Sequence, residues 1–255
     1  MLKHRVIPAL LLNQHGGLVK TTKFAAPKYI GDPLNAMRIF NTKEVDELMV
    51  LDIDASKLKR EPNYGLIEQF AGECFMPLCY GGGIKTIDQA YKIFKLGVEK
   101  ICLQTAVLED LDLVRDLVAR FGSSAIVVSV DVKKDWLQRP KLFKSSEGKN
   151  ANENWISYIK QAVDAGAGEI LLNAVDKDGT LQGSDLTLIK QASGEISAPL
   201  IALGGIGSLK DIKDAVDAGA SAVAAGAFFV FHGPHRAVLI TYPQYQELLT
   251  LFNTK

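Results

Sequence analysis

Acidic residues stand where short apolar runs end, and a strand end has little structural use for a carboxylate. Asp131 interrupts Ala125-Ile126-Val127-Val128-Ser129-Val130. Burial in such a run disfavours the ionised carboxylate and raises its pKa, which suits it to general acid–base work. Asp52 and Asp54 follow a second apolar run, and Asp176 and Asp178 follow a third, with Gly179-Thr180 next in the chain. Unpaired buried charge is costly, so these acids either do chemistry or orient loops as paired structural groups. The spacing pairs Asp52 with Asp176, and at least one of the two is read as loop-orienting.

Glycines supply the second candidate chemistry. Gly81-Gly82-Gly83 and Gly204-Gly205 each follow an apolar run directly, and backbone N–H groups there can approach an anion with no Cβ in the way. Gln104-Thr105-Ala106 and Gly226-Ala227 lie at the same 122-residue offset and complete two phosphate-type sites. Two such sites imply a ligand with a phosphate at each end. One glycine turn alone would be read as a tight turn, and the matched pair is what favours phosphate.

The elements that must position these residues are repeated. Pro77-Leu78-Cys79-Tyr80-Gly81-Gly82-Gly83-Ile84 and Pro199-Leu200-Ile201-Ala202-Leu203-Gly204-Gly205-Ile206 lie 122 positions apart, so the repeat is close to half the chain. Short Val, Ile and Leu runs alternate with amphipathic segments, the pattern of a parallel sheet covered by helices. Eight strands are predicted: Arg5–Leu12, Glu47–Asp52, Pro77–Tyr80, Lys100–Leu103, Ala125–Val132, Glu169–Asn173, Leu200–Leu203 and Ala222–Ala225. The expected fold is one α/β domain over residues 1–255, a (β/α)8 TIM barrel with its active face at the C-terminal ends of the strands. Segments 12–32 and 133–154 read as long loops on that face, hence as substrate covers; for the second, which is rich in lysine, a solvated basic loop is the equal alternative.

Composition narrows the partners. The 29 basic residues equal the 29 acidic ones, so net charge argues for neither nucleic acid nor a membrane surface. Cys74, Cys79 and Cys102 lack CxxC spacing and read as buried thiols in a reducing compartment. No run reaches a membrane span and the N-terminus leads straight into a strand, so the cytoplasm is expected. His232 and His235 have no third ligand in view, so no metal and no cofactor are expected.

The chain resembles the cyclase subunit of imidazole glycerol phosphate synthase from Arg5 to Phe231. The likeness rests on Arg5-Val6-Ile7-Pro8, Gly17-Leu18-Val19-Lys20, Gly31-Asp32-Pro33, Leu51-Asp52-Ile53, Gly81-Gly82-Gly83-Ile84, Phe121-Gly122-Ser123, Asp131, Gly166-Ala167-Gly168-Glu169-Ile170-Leu171-Leu172 and Asp176-Lys177-Asp178-Gly179-Thr180. The resemblance implies a barrel that receives ammonia from a glutamine amidotransferase subunit docked on its N-terminal face. It implies a small phosphorylated or sugar ligand, held by the two glycine loops together with Gln104, Thr105, Asp176, Gly179, Thr180, Gly226 and Ala227. Arg5, Glu47, Lys100 and Glu169, near the starts of four strands, can neutralise one another as a ring; in the family the corresponding ring gates ammonia. Glu99 stands where the family has an aspartate facing the glutaminase.

Departures cluster at the other face. Aligning strand one with strand five puts Leu11 where the family has its first-strand catalytic aspartate, and a leucine transfers no proton. Ser145-Ser146-Glu147-Gly148-Lys149-Asn150 replaces the family's Gly-Arg-Lys signature, Tyr80 precedes the first glycine loop, and Gln104 stands for asparagine. These features resemble a paralogous branch associated with acetamidino modification of surface-polysaccharide sugars. That resemblance implies that Lys20 holds substrate or polarises an oxygen and that Asp131 is the remaining proton-transfer residue. The alternatives are an authentic histidine-pathway cyclase, the related sugar-phosphate isomerase, which needs the first-strand acid, and a catalytically silent barrel that only activates a glutaminase.

Overall fold

The computed structural model describes residues 4–253. Eight strands form the barrel: β1 (Arg5–Leu12), β2 (Leu48–Asp52), β3 (Leu78–Gly81), β4 (Lys100–Leu103), β5 (Ile126–Lys134), β6 (Glu169–Ala174), β7 (Leu200–Leu203) and β8 (Ala222–Ala225). Each pairs in parallel with its chain neighbour, and β8 closes on β1 through Pro8 opposite Ala225. The (β/α)8 barrel expected from the alternation is therefore the observed fold.

The duplication extends to the helix caps. Asp32 and Asn154, Asn63 and Asp185, and Thr86 and Ser208 are each 122 residues apart. All six accept backbone N–H groups in the first turns of their helices, among them Leu34, Ile156, Leu66, Leu188, Gln89 and Asp211. These are the side chains that satisfy orphan helix donors best, and their repetition starts corresponding helices of both halves with the same capping chemistry. Apolar side chains fill two layers. One lies between strands and helices, around Phe40, Phe70, Ile93, Ile159 and Ile212. The other lies inside the barrel, where Ile7, Met49, Cys79, Cys102, Val127 and Leu171 meet. Cys79 and Cys102 are buried free thiols and Cys74 is half-buried. No helix among the described residues is long and apolar enough to cross a membrane.

Two expectations change. Segments 12–32 and 133–154 are not irregular loops, because each folds back along the strand it follows. Leu18–Lys20 pairs antiparallel with β1 and Lys28–Gly31 pairs in turn with it, while Pro140–Lys144 pairs with β5 and Lys149–Asn150 follows. The returning strands are only two to five residues long, too short for an alternation to be legible. Tyr80 also differs from its expected place on the substrate face. Strand alternation turns Cys79 inward and Tyr80 outward, so its side chain is buried in the layer between strands and helices, near Asp52 and Arg60.

Candidate functional site

The barrel offers a charged ring at its base and a cavity at its mouth. At the base, Arg5 donates to Glu47 at 2.5 Å and to Glu169 at 2.9 Å, and Lys100 donates to the same two carboxylates at 2.8 and 3.1 Å. Two cations and two anions thus alternate around the barrel axis. Burial opposes charge on Arg5, but Glu169 and Glu47 together raise its pKa further. Glu47 is almost fully buried, and Oε1 of Glu47 and Oε2 of Glu169 have no partner. Glu99, also at this end, is exposed and accepts the backbone N–H of Leu78 at 2.8 Å.

At the mouth, strand register fixes which residues correspond. Leu11 faces Leu51 across β1 and β2, and Asp131 faces Asn173 across β5 and β6. The same rung is therefore apolar in one half and polar in the other, and Leu11 does occupy the place of Asp131. Asp131, 5% exposed, accepts from Gln104 Nε2 at 2.6 Å, and Asn173 lies opposite it on the rung. Burial pushes its pKa up to about 7, against the lowering effect of its polar neighbours Ser145, Asn173 and Gln104. Gln104 is itself oriented by the Ser145 hydroxyl, which donates to its Oε1 at 2.6 Å.

Lys20 reaches the mouth from the returning strand beside β1. Its Nζ donates to the Ala9 carbonyl at 2.5 Å. Burial lowers its pKa to about 8, with Asp178 opposing the shift. Gly226 makes room for it, since a Cβ there would lie 2.5 Å from Nζ. Asp178 accepts from the Thr21 hydroxyl at 2.7 Å, and burial raises its pKa. A carboxyl held near neutrality and an ammonium that loses its proton at modest cost, lining one cavity, are suited to proton transfer at neutral pH.

A cavity of about 180 Å³ is lined by Lys20, Asp131, Gln104, Thr105, Gly82, Gly83, Gly179, Gly226 and Ala227, together with Leu11, Leu51, Asn173 and Asp178. Gly204, Gly205, Asp176 and Thr180 do not line it. Gly82 (φ +122°) and Gly204 (φ +104°) have left-handed backbones, and a Cβ would come within 2.5 Å of the Asp52 carbonyl and 2.7 Å of the Ala174 carbonyl respectively. Close approach of the neighbouring strand end thus accounts for glycine at both places. Asp176 accepts the backbone N–H of Lys134 at 2.7 Å, as Asp54 accepts that of Gln14 at 2.9 Å. Its structural counterpart is Asp54, not Asp52, and the pair anchors the two folded-back segments. Asp52 caps the turn that follows it, accepting from Asp54 and Ala55.

The basic segment after β5 is largely neutralised locally. Lys134 pairs with Asp185, Arg139 with Asp135, and Lys144 and Lys149 with Glu147. Its contribution to the cavity is Ser145 and Ser146. Sequence reasoning did not assign Asn173, Ser145 or Thr21 to the site. Asn173 carries the same signal as Asp131, a polar residue closing the apolar run Ile170-Leu171-Leu172, at inward parity with Leu171.

Comparison with known proteins accords with this geometry. Residues 5–234 match the family described as "Histidine biosynthesis protein". The chain is 51% identical over 249 residues to the "Putative imidazole glycerol phosphate synthase subunit hisF2" of Pseudomonas aeruginosa, covering 97% of this chain and 99% of that protein. It is 48% identical over 254 residues to a "Putative imidazole glycerol phosphate synthase subunit HisF" of Leptospira borgpetersenii, covering 99% and 100%. To the "Imidazole glycerol phosphate synthase subunit HisF" of Frankia casuarinae it is 37% identical over 230 residues, covering 89% and 90%. The chain belongs to the HisF family. It is an enzyme subunit of the imidazole glycerol phosphate synthase type, and within that HisF frame its mouth carries Leu11 opposite Asp131.

Proposed function

We propose that this HisF-like chain is the synthase subunit of a glutamine-dependent enzyme that transfers ammonia to the N-acetyl group of a phosphorylated or nucleotide-linked sugar. A glutamine amidotransferase subunit docks on the base, the ring of Arg5, Glu47, Lys100 and Glu169 admits ammonia, and Asp131 and Lys20 act at the mouth. Glu99 belongs to the docking face. Gly82, Gly83, Gln104, Thr105, Gly226 and Ala227 hold the anionic part of the ligand, and Gly179 borders it. The observation that carries the reading is Leu11 on the rung of Asp131: one proton-transfer carboxyl remains where imidazole ring closure would use two.

Amidine formation replaces C=O by C=NH. The carbonyl oxygen must leave, so a nucleoside triphosphate is required to convert it to a phosphate ester; ammonia adds to the carbon, phosphate departs, and Asp131 takes the surplus proton. The test is incubation of the chain with an ammonium salt, ATP and UDP-N-acetylglucosamine, followed by mass spectrometry. The expected product has one oxygen exchanged for NH. Formation of an imidazole product from the phosphoribulosyl substrate of the histidine pathway, with no exchange on the acetamido sugar, would return the chain to that pathway.

A further inference from the structure

The mouth contains an acceptor that the protein leaves unused. Asn173 is 7% exposed and lines the cavity. Its register neighbours are Asp131 and Leu203. Asn173 stands across the rung from Asp131, where a carboxylate favours the amide N–H end over the carbonyl end, and Leu203 offers nothing polar. Oδ1 is left buried without a partner. An orphaned buried carbonyl is destabilising, and a ligand donor would supply the missing bond. Lys20 Nζ donates to the Ala9 carbonyl and makes no bond to this Oδ1.

The opposite rung completes the picture. Leu11 and Leu51 line the same cavity and present two isobutyl groups where the other half presents Asp131 and Asn173. A phosphate or a bare polyol would satisfy the polar side and leave these leucines against water-bearing groups. A secondary amide with a small acyl group satisfies both sides.

We infer that Asn173 is the specificity-determining residue of the mouth: its Oδ1 accepts the N–H of a secondary amide whose methyl lies against Leu11 and Leu51. The inference rests on the acetamido reading above and adds the residue that selects the group. A site built to bond a donor rejects an isostere that lacks it, because the buried acceptor then stays unpaired.

The test is calorimetric titration with UDP-N-acetylglucosamine and with its 2-O-acetyl ester counterpart, which differs by the missing N–H. The native chain is expected to prefer the amide by about tenfold. Asn173→Leu is expected to bring the two affinities within about twofold of each other, and Asn173→Gln, which keeps both amide ends, to restore part of the preference. A role confined to holding Asp131 would lower both affinities without changing their ratio. Should Asn173→Leu fail to fold, Asn173→Ala is read in the same way. Equal binding of the two probes by the native chain, binding of neither, or an unchanged preference in the variant overturns the inference. A preference that depends on Asn173 without nitrogen exchange on the bound sugar would sink the amidination reading alone.

Discussion

Asp131 and Lys20 are buried ionisable groups whose pKa values converge, and both leave a mark on stability as well as on turnover. The Asp131 carboxyl is raised from 3.8 to about 7, so folding favours its protonated form. Its contribution to stability is present below pH 4 and is lost as pH rises through about 7. Asp131→Asn removes that penalty. The variant's stability advantage over the native chain, measured by urea unfolding, should be larger at pH 8 than at pH 5, by on the order of 2 kcal/mol. Lys20 runs the other way: its pKa is depressed to about 8, so the stability it contributes is present above pH 10.5 and is lost as pH falls through 8. The same Asp131→Asn change should reduce ammonium-dependent turnover by about 10²–10⁴-fold, the usual range for a general acid–base residue. Unchanged turnover would remove Asp131 from the chemistry.

Asp131 was legible as a break in an apolar run, and so was the loss of its partner at Leu11, because a repeated chain can be aligned with itself. Matching Asp176 to Asp52 uses a gap of 124, whereas the 122-residue offset of the glycine loops leads from Asp176 to Asp54. The hydrogen bonds to Gln14 and Lys134 agree with that second pairing. Lys20, Ser145 and Thr21 reach the cavity on folded-back segments, and no local pattern states how such a segment returns.

At the scale of elements, glycines divide by what surrounds them. Gly82 has a left-handed backbone and the Asp52 carbonyl 2.5 Å from a built Cβ, whereas Gly72, inside the helix Tyr64–Glu73, has nothing within 4 Å. Gly82→Ala should therefore destabilise the barrel by about 2 kcal/mol or more, through backbone strain and displacement of the β2 end. Gly72→Ala should stabilise it by about 0.5–1 kcal/mol through helix propensity. Chemical denaturation of the two variants checks the contrast, and equal effects would contradict the geometry. The strands and helices themselves were readable from their alternation and caps. What separated a strained glycine from a free one was the neighbouring strand, which the sequence does not state.

At the scale of the molecule, the ring at the base and the cavity at the mouth lie on one axis with an apolar interior between them. Glu47 and Glu169 are the repeated members of the ring, 122 residues apart, while both cations come from the first half. Lys100→Met leaves the buried Glu47 facing Arg5 alone. Removing one partner of a buried network costs about 3–5 kcal/mol, which thermal or urea unfolding would register. In the proposed enzyme the variant should also lose coupling between glutamine hydrolysis and product while ammonium-driven turnover survives.

The most direct measurement of the whole account is an isotope competition. The chain and the proposed glutaminase subunit are supplied with glutamine labelled with ¹⁵N at the side-chain amide, excess unlabelled ammonium in solution, ATP and the acetamido sugar. Nitrogen passing from base to mouth predicts product enriched in ¹⁵N well above the bulk ammonium pool. Product carrying only the isotope ratio of the bulk pool would contradict it.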